Sequence, residues 1–355
     1  MIPHRPERKT GGPVRTAIVG LAVAAAVLPV PASLIERWYS TGIYPWIQRL
    51  LTTATNPVPI ALLDVAVAVL LAAGMVTGLS RVRLFGLRRA APGILGAIAS
   101  SAAVTYLMFL FLWGLNYRRV PLDAKLAYDP ARLTREHAIA LAASAVAAVN
   151  ERYEAAHSGG APPTLDALAL AFDDLQRDLG AARPAVPGVP KRSVLHWYFP
   201  RAGIDGMTDP FFLEVIVNPQ VLPFERPFVV AHEWAHLAGY AVESEANFVA
   251  WLTCARAGIL DRYSGDLAAY QHALSALSRE DRAALPALND GPRADLRAVF
   301  ERYRRTSPQI RRAAHGLNDR YLRANGVSEG VGSYGAVVRL MLGTTLDEEG
   351  TPRRR

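Results

Sequence analysis

The stretch Val230-Ala231-His232-Glu233-Trp234-Ala235-His236-Leu237-Ala238-Gly239 decides how this chain is read. Its two histidines are four residues apart. On an α-helix that spacing puts them on one face, so both imidazoles can reach a single metal ion. Glu233 follows the first histidine and can lean over a water held at that ion as a general base. A solvated face carrying two histidines and a glutamate by accident would not need such apolar flanks. Gly239 lies three residues past the second histidine, where a glycine can end the helix in the left-handed conformation and reverse the chain.

A second helix is expected from about Glu243 through Val249, Trp251, Leu252 and Cys254. A zinc site with two histidines needs a third protein ligand and one open position. Cys254 is the sole cysteine, which excludes a disulfide within the chain and any cysteine-based zinc site, leaving histidine and carboxylate. Glu243 and Glu245 both follow the turn, but two residues apart on a helix they point to different sides, so only one should ligate. The unchosen one would be an ordinary acid complementing the helix dipole. His232 to His236 is the HExxH signature of zinc metallopeptidases. Glu243-Ser244-Glu245-Ala246-Asn247 resembles the Glu-x-x-Ala-Asp that carries the third ligand in integral-membrane gluzincins. On that resemblance His232, His236 and Glu243 are the expected metal ligands, with Glu245 the competitor. Asn247, one turn on, is placed to orient the Glu243 carboxylate. The cofactor implied is Zn2+, and Glu233 is the expected catalytic base.

The compartment follows from composition. Of 355 residues, 51% are hydrophobic, and the mean hydropathy of +0.13 points to a membrane part plus one domain of ordinary size. Apolar stretches over about 14–35, 58–79 and 93–115 each reach the ~20 residues a bilayer span requires. Asp64 lies near one end of the second and is assigned no function. The first has a basic lead-in and small residues near Pro31-Ala32-Ser33, as a signal peptide would, but it is long for one and is read as an uncleaved anchor. The N-terminal segment carries Arg5, Arg8, Lys9 and Arg15, and Arg81, Arg83, Arg88 and Arg89 join the second span to the third. This bias puts the N-terminus and that connection in the cytoplasm and the C-terminal domain outside it. Trp38, Tyr39, Tyr44, Trp46, Trp113 and Tyr117 suit an aromatic belt on the outer side.

The net charge of +8 raises the question of nucleic acid. The basic residues are scattered over membrane flanks, one late helix and Arg353-Arg354-Arg355, with no finger, helix-turn-helix or stacking pattern. Anionic headgroups explain them more simply, so the expected partners are the lipid bilayer and a protein or peptide substrate, with no nucleic acid.

The expected fold class is mainly α with a small β component: three N-terminal transmembrane helices followed by a zincin-like α+β domain. The divisions are a cytoplasmic tail over 1–13, the membrane region over 14–117, the metallopeptidase-like domain over 118–345 and a charged tail over 346–355. Helices are expected over 131–157, 165–179, 267–277, 292–325 and 334–342, with a Pro/Gly-rich connector over 181–190. Strands are expected over 193–199 and 211–218. The second would border the cleft, where it could pair with an extended substrate. For an oxyanion donor the candidates are Tyr334, Tyr321, His315 and His196. His137, His157 and His272 sit in ordinary helical contexts and are not read as ligands.

The layout resembles an uncharacterised family of bacterial integral-membrane proteins of unknown function. The matching pieces are Trp113-Gly114-Leu115-Asn116-Tyr117-Arg118-Arg119, Pro210-Phe211 to Asn218, Pro227-Phe228 into His232, Glu243 to Phe248, Asn318-Asp319-Arg320-Tyr321-Leu322 and Gly332-Ser333-Tyr334. The resemblance implies N-terminal spans and a zincin-like domain in the inner membrane, and names no substrate. The activity expected is a membrane-anchored zinc endopeptidase acting on membrane or envelope proteins. The alternative is a catalytically silent zinc-binding sensor or scaffold with the same domain.

Overall fold

The computed structural model describes residues 12–158, 165–325 and 336–355. Among these the chain is mainly helical, with a two-stranded sheet. Helix α1 (Gly12–Val27) stops at Leu28-Pro29-Val30-Pro31, where the prolines remove backbone donors and bar a continuous ladder. The next helical run, α2 (Ala32–Thr55), leaves at 110° to α1. The first span expected over 14–35 is therefore a bent pair, a broken span or re-entrant loop. Residues Ile35–Ile43 of α2 are wound as a π-helix.

Helices α3 (Leu62–Phe85) and α4 (Leu87–Leu112) are both long and apolar enough to cross a membrane. They run on through Arg81, Arg83, Arg88 and Arg89, because arginine propagates a helix well. The break between them is Gly86 at φ 73°, a left-handed position suited to glycine. No residue of α3 is buried, and Leu70 and Leu71 are 68% and 69% exposed. A helix apolar all round and covered by no protein is built for lipid. Among the described residues two helices are thus long and apolar enough to cross a membrane, or three if the bent pair is one span, as a membrane protein requires.

Residues from the loops around the sheet fasten the ends of α2 and α3 to the rest of the chain. The Lys191 ammonium donates to the carbonyls of Thr55, Asn56 and Val58 at 2.6, 2.9 and 2.5 Å, where α2 ends. Glu214 accepts the Leu62 amide at 2.8 Å, where α3 begins. Charges of the right sign thus meet both helix ends.

Beyond the spans lie α5 (Arg135–His157), α6 (Asp166–Asp178), α7 (Arg226–Leu237), α8 (Glu243–Arg256), α9 (Ile259–Ser275), α10 (Asp290–Arg304), α11 (Pro308–Ala324) and α12 (Val337–Gly343). The helix expected over 292–325 is two, because Pro308 cannot continue α10; it opens α11 with Ser307 as its cap. Strands β1 (Gly206–Thr208) and β2 (Val215–Val217) pair antiparallel, Gly206 opposite Val217 and Thr208 opposite Val215.

The strand expected over 193–199 is a 3-10 turn, Val194–Trp197, followed by a short helix. The reason is local competition. The Asp64 carboxylate accepts the Ser193 hydroxyl and the Val194 amide, while Ser193 accepts the Leu195 amide. The strand expected over 211–218 shortens to β2, because Asp209 takes the amides of Phe211 and Phe212 and turns the chain before Leu213, at φ 52°.

One hydrophobic cluster holds Tyr39, Tyr44, Phe109 and Trp113 from the membrane region together with Trp234, Phe248 and Phe172. Helix Arg226–Leu237, which carries both His232 and His236, therefore shares a core with the membrane region.

Candidate metal centre

Pro227 opens α7, and the helix buries Trp234, Ala235, His236 and Leu237. Trp234 anchors it, packing 5.6 Å from the Phe172 ring and donating from Nε1 to the Gly188 carbonyl at 2.8 Å. The helix ends in a Schellman motif. Tyr240 N–H bonds Ala235 O at 3.1 Å, Gly239 N–H bonds His236 O at 2.9 Å, and Gly239 sits at φ 83°. This reversal sends the chain into α8, whose first residue is Glu243.

Three side chains converge there. His232 Nε2 is 3.1 Å from His236 Nε2 and 3.3 Å from a Glu243 carboxylate oxygen, and His236 Nε2 is 3.8 Å from that oxygen. Ligands held ~2.0–2.1 Å from a tetrahedral ion lie about 3.3 Å from one another. The triad is thus dimensioned for one small divalent cation, and its two-imidazole, one-carboxylate donor set suits zinc. Among the described residues it is the group of three such side chains close enough to share an ion. His236 Nδ1 lies 2.8 Å from the Tyr240 carbonyl. That bond puts the proton on Nδ1 and leaves Nε2 for a metal. His232 Nδ1 is buried without a partner.

Burial works against charge on Glu243, yet hydrogen bonds from His232 and His236 hold its carboxyl well below the usual range. Burial opposes protonation of His236 too, but the Glu243 carboxylate pushes it up to about 9. The metal-free triad therefore carries a proton at pH 7 that a metal must displace. Zinc affinity is expected to rise about tenfold per pH unit from about 7 to about 9 and then level off, with about one proton released per zinc at pH 7. Calorimetric titration in buffers of different ionisation enthalpy measures that release, and a flat pH profile would contradict it.

Glu233, on the same helix as the histidines, lies against β1. It is 3% exposed, and burial raises its carboxyl above the ordinary range. The Thr208 hydroxyl lies 2.8 Å from Glu233 Oε2 and 2.9 Å from the Glu233 carbonyl. Gly206 leaves the room the carboxylate needs, since a Cβ there would collide with Glu233 Oε1. Thr208 and Gly206 escape sequence reasoning because β1 is three residues long and carries no alternation.

Glu245 lies outside the triad. Its carboxylate accepts the buried Leu122 amide at 2.6 Å. Glu245→Ala is expected to keep zinc at about one per chain. It should also lower stability by about 1–3 kcal/mol, the cost of an orphaned buried donor; metal analysis and thermal melting read the two effects. Asn247 is buried one turn along α8 and makes no hydrogen bond to Glu243 among the described residues. Of the oxyanion candidates, Tyr334 lies outside the described residues. His315 is exposed on α11, and His196 Nε2 is buried without a partner in the 3-10 turn. Tyr321 packs edge-on against Tyr117 and Phe109, with centroids 5.9 and 6.0 Å away. Burial pushes its phenol up to about 12 against a hydrogen bond from Tyr117, and the Glu243 carboxylate adds to the rise. His272 lies beside α7 against Phe228, and burial, with a smaller push from His232, lowers it to about 4, so it is neutral at pH 7.

No curated protein and no solved structure matches this chain. A family match, described as protein of unknown function (DUF3810), covers residues 39–342, which takes in α3, α4, the segment from Trp113 to Arg119 and the whole triad. The chain belongs to that family.

Proposed function

We propose that this protein is a membrane-anchored zinc metalloendopeptidase with a zincin-like domain, cutting membrane or envelope proteins close to the bilayer. The observation that carries the reading is the convergence of His232, His236 and Glu243 beside a buried, raised Glu233 on the same helix as the histidines. A zinc ion held by the triad would supply Lewis acidity towards a peptide carbonyl and lower the pKa of water at its open position. Glu233 would take a proton from the attacking water and deliver it to the leaving amine. The Thr208 hydroxyl holds the carboxylate in place, and Gly206 gives it space. Tyr321, whose phenol feels the Glu243 carboxylate, would donate to the developing oxyanion.

The arginines around Gly86 favour the cytoplasmic side for that hairpin, which puts the metal-bearing helices outside the cytoplasm, on the inner membrane. Anchoring restricts the cleft to substrates near the bilayer, raising their effective concentration. The enzyme reading is preferred to a silent sensor because Glu233 is intact and held by a dedicated hydroxyl. The test is zinc content of the purified full-length protein, followed by Glu233-dependent appearance of new N-termini in the membrane proteome. A metal-free protein that cannot be loaded sinks the reading.

A further inference from the structure

The segment Trp113 to Arg119 contains no ligand and no base, yet three of its residues meet the turn that ends α7. The Trp113 Nε1–H donates to His236 O at 2.9 Å. The Arg119 guanidinium donates to Gly239 O at 3.0 Å. Asn116, fully buried, packs so close that a Cβ on residue 239 would lie 3.0 Å from its Oδ1. From α2 the Tyr44 hydroxyl donates to Leu237 O at 2.7 Å. The carbonyls of His236 and Leu237 are among the last of the helix, and the Gly239 amide of the turn already shares His236 O. Here they take donors from the membrane region.

These contacts bear on His236. Its Nε2 faces the triad only while its Nδ1–H stays on the Tyr240 carbonyl. That carbonyl follows Gly239, a residue with no Cβ to limit its rotation. The amides of Gly239 and Tyr240 are held within the turn, and the Gly239 carbonyl is held from outside it. Arg119 adds to the restraint, gripping Gly239 O while lying 5.2 Å over the Tyr240 ring. Arg119 is itself clamped by both oxygens of Glu36, at 2.9 and 2.8 Å, from the π-helical stretch of α2. The same turn sets where Glu243 begins α8, and hence its distance from both histidines.

We infer that Trp113, Tyr44 and Arg119 are positioning residues of the metal centre, so that the membrane region completes the site instead of merely tethering it. The inference rests on the triad being a metal centre. It predicts that substitutions touching no ligand and not Glu233 weaken metal binding.

The experiment uses full-length protein in lipid nanodiscs. Zinc affinity is measured by chelator competition and ligand geometry by the visible spectrum of the cobalt-loaded protein. The variants are Trp113→Phe, Tyr44→Phe, Arg119→Gln and Arg119→Lys, with Arg256→Gln as control. Arg256 pairs with Asp178 at the opposite end of α8, so its loss should leave affinity unchanged. Trp113→Phe, Tyr44→Phe and Arg119→Gln are each expected to lose about 10–100-fold in zinc affinity, as outer partners of ligands do, and to shift the cobalt bands. Arg119→Lys should recover part of the loss. If one variant does not fold, Tyr44→Phe, which removes a single hydroxyl, decides. Wild-type affinity and spectra in the folded variants would overturn the inference alone. A wild-type protein with no zinc affinity would overturn the metal-centre reading and this inference with it.

Discussion

Replacing Glu233 with glutamine should reduce proteolysis by about 10²–10⁴-fold, the share a positioned general base contributes, while zinc stays bound. Glutamine has nearly the shape of glutamate, and its carbonyl oxygen can still accept the Thr208 hydroxyl, so the packing between α7 and β1 survives. What it cannot do is take a proton. The wild-type carboxyl is buried, and that burial raises it above its ordinary range, so it holds a proton more readily than a free carboxylate would. The measurement compares membrane-proteome N-termini from cells carrying the wild type or Glu233→Gln, with zinc content determined on both purified proteins. Equal cleavage by the two would remove Glu233 from the chemistry. Equal zinc with no cleavage by either would favour the sensor.

His236→Ala and Glu243→Ala should each abolish tight zinc binding. The loss should exceed the ~100-fold upper range seen when only an outer partner of a ligand is removed. Each leaves two protein ligands where a zinc site needs three. The pair to compare is Glu243→Ala with Glu245→Ala. Glu243 meets both histidines, whereas Glu245 holds the Leu122 amide on another side of α8. Zinc lost in the first and kept in the second identifies the third ligand. The opposite result would mean that α8 rotates on metal binding. His236→Ala has a further effect: it removes the Nδ1 donor to Tyr240 O and so loosens the turn as well as the site.

Much of this site is local, which is why it is legible in the sequence. Four-residue spacing fixes two imidazoles on one helix face, and Gly239 marks where that helix reverses. The apolar spans are legible for a similar reason, since length and composition alone suit them to a bilayer. Two local rules still mislead. Apolar content across 14–35 hides the break that Pro29 and Pro31 impose, and aromatic content across 193–199 hides the capping by Ser193 and Asp64 that winds that stretch into a 3-10 turn.

By itself the sequence determined the residue types and their spacing: the two histidines, the glutamate between them, two rival carboxylates past a glycine turn, and helices fit for lipid. Only the tertiary structure sets Glu243 and Glu245 apart: α7 brings both histidines against Glu243, while the Leu122 amide occupies Glu245. It also decided what supports the site. Thr208 lies 25 residues from Glu233, and Tyr44 lies 193 residues from Leu237. Hydrogen bonds across such separations depend on how the elements pack, and no local propensity or periodicity encodes that packing.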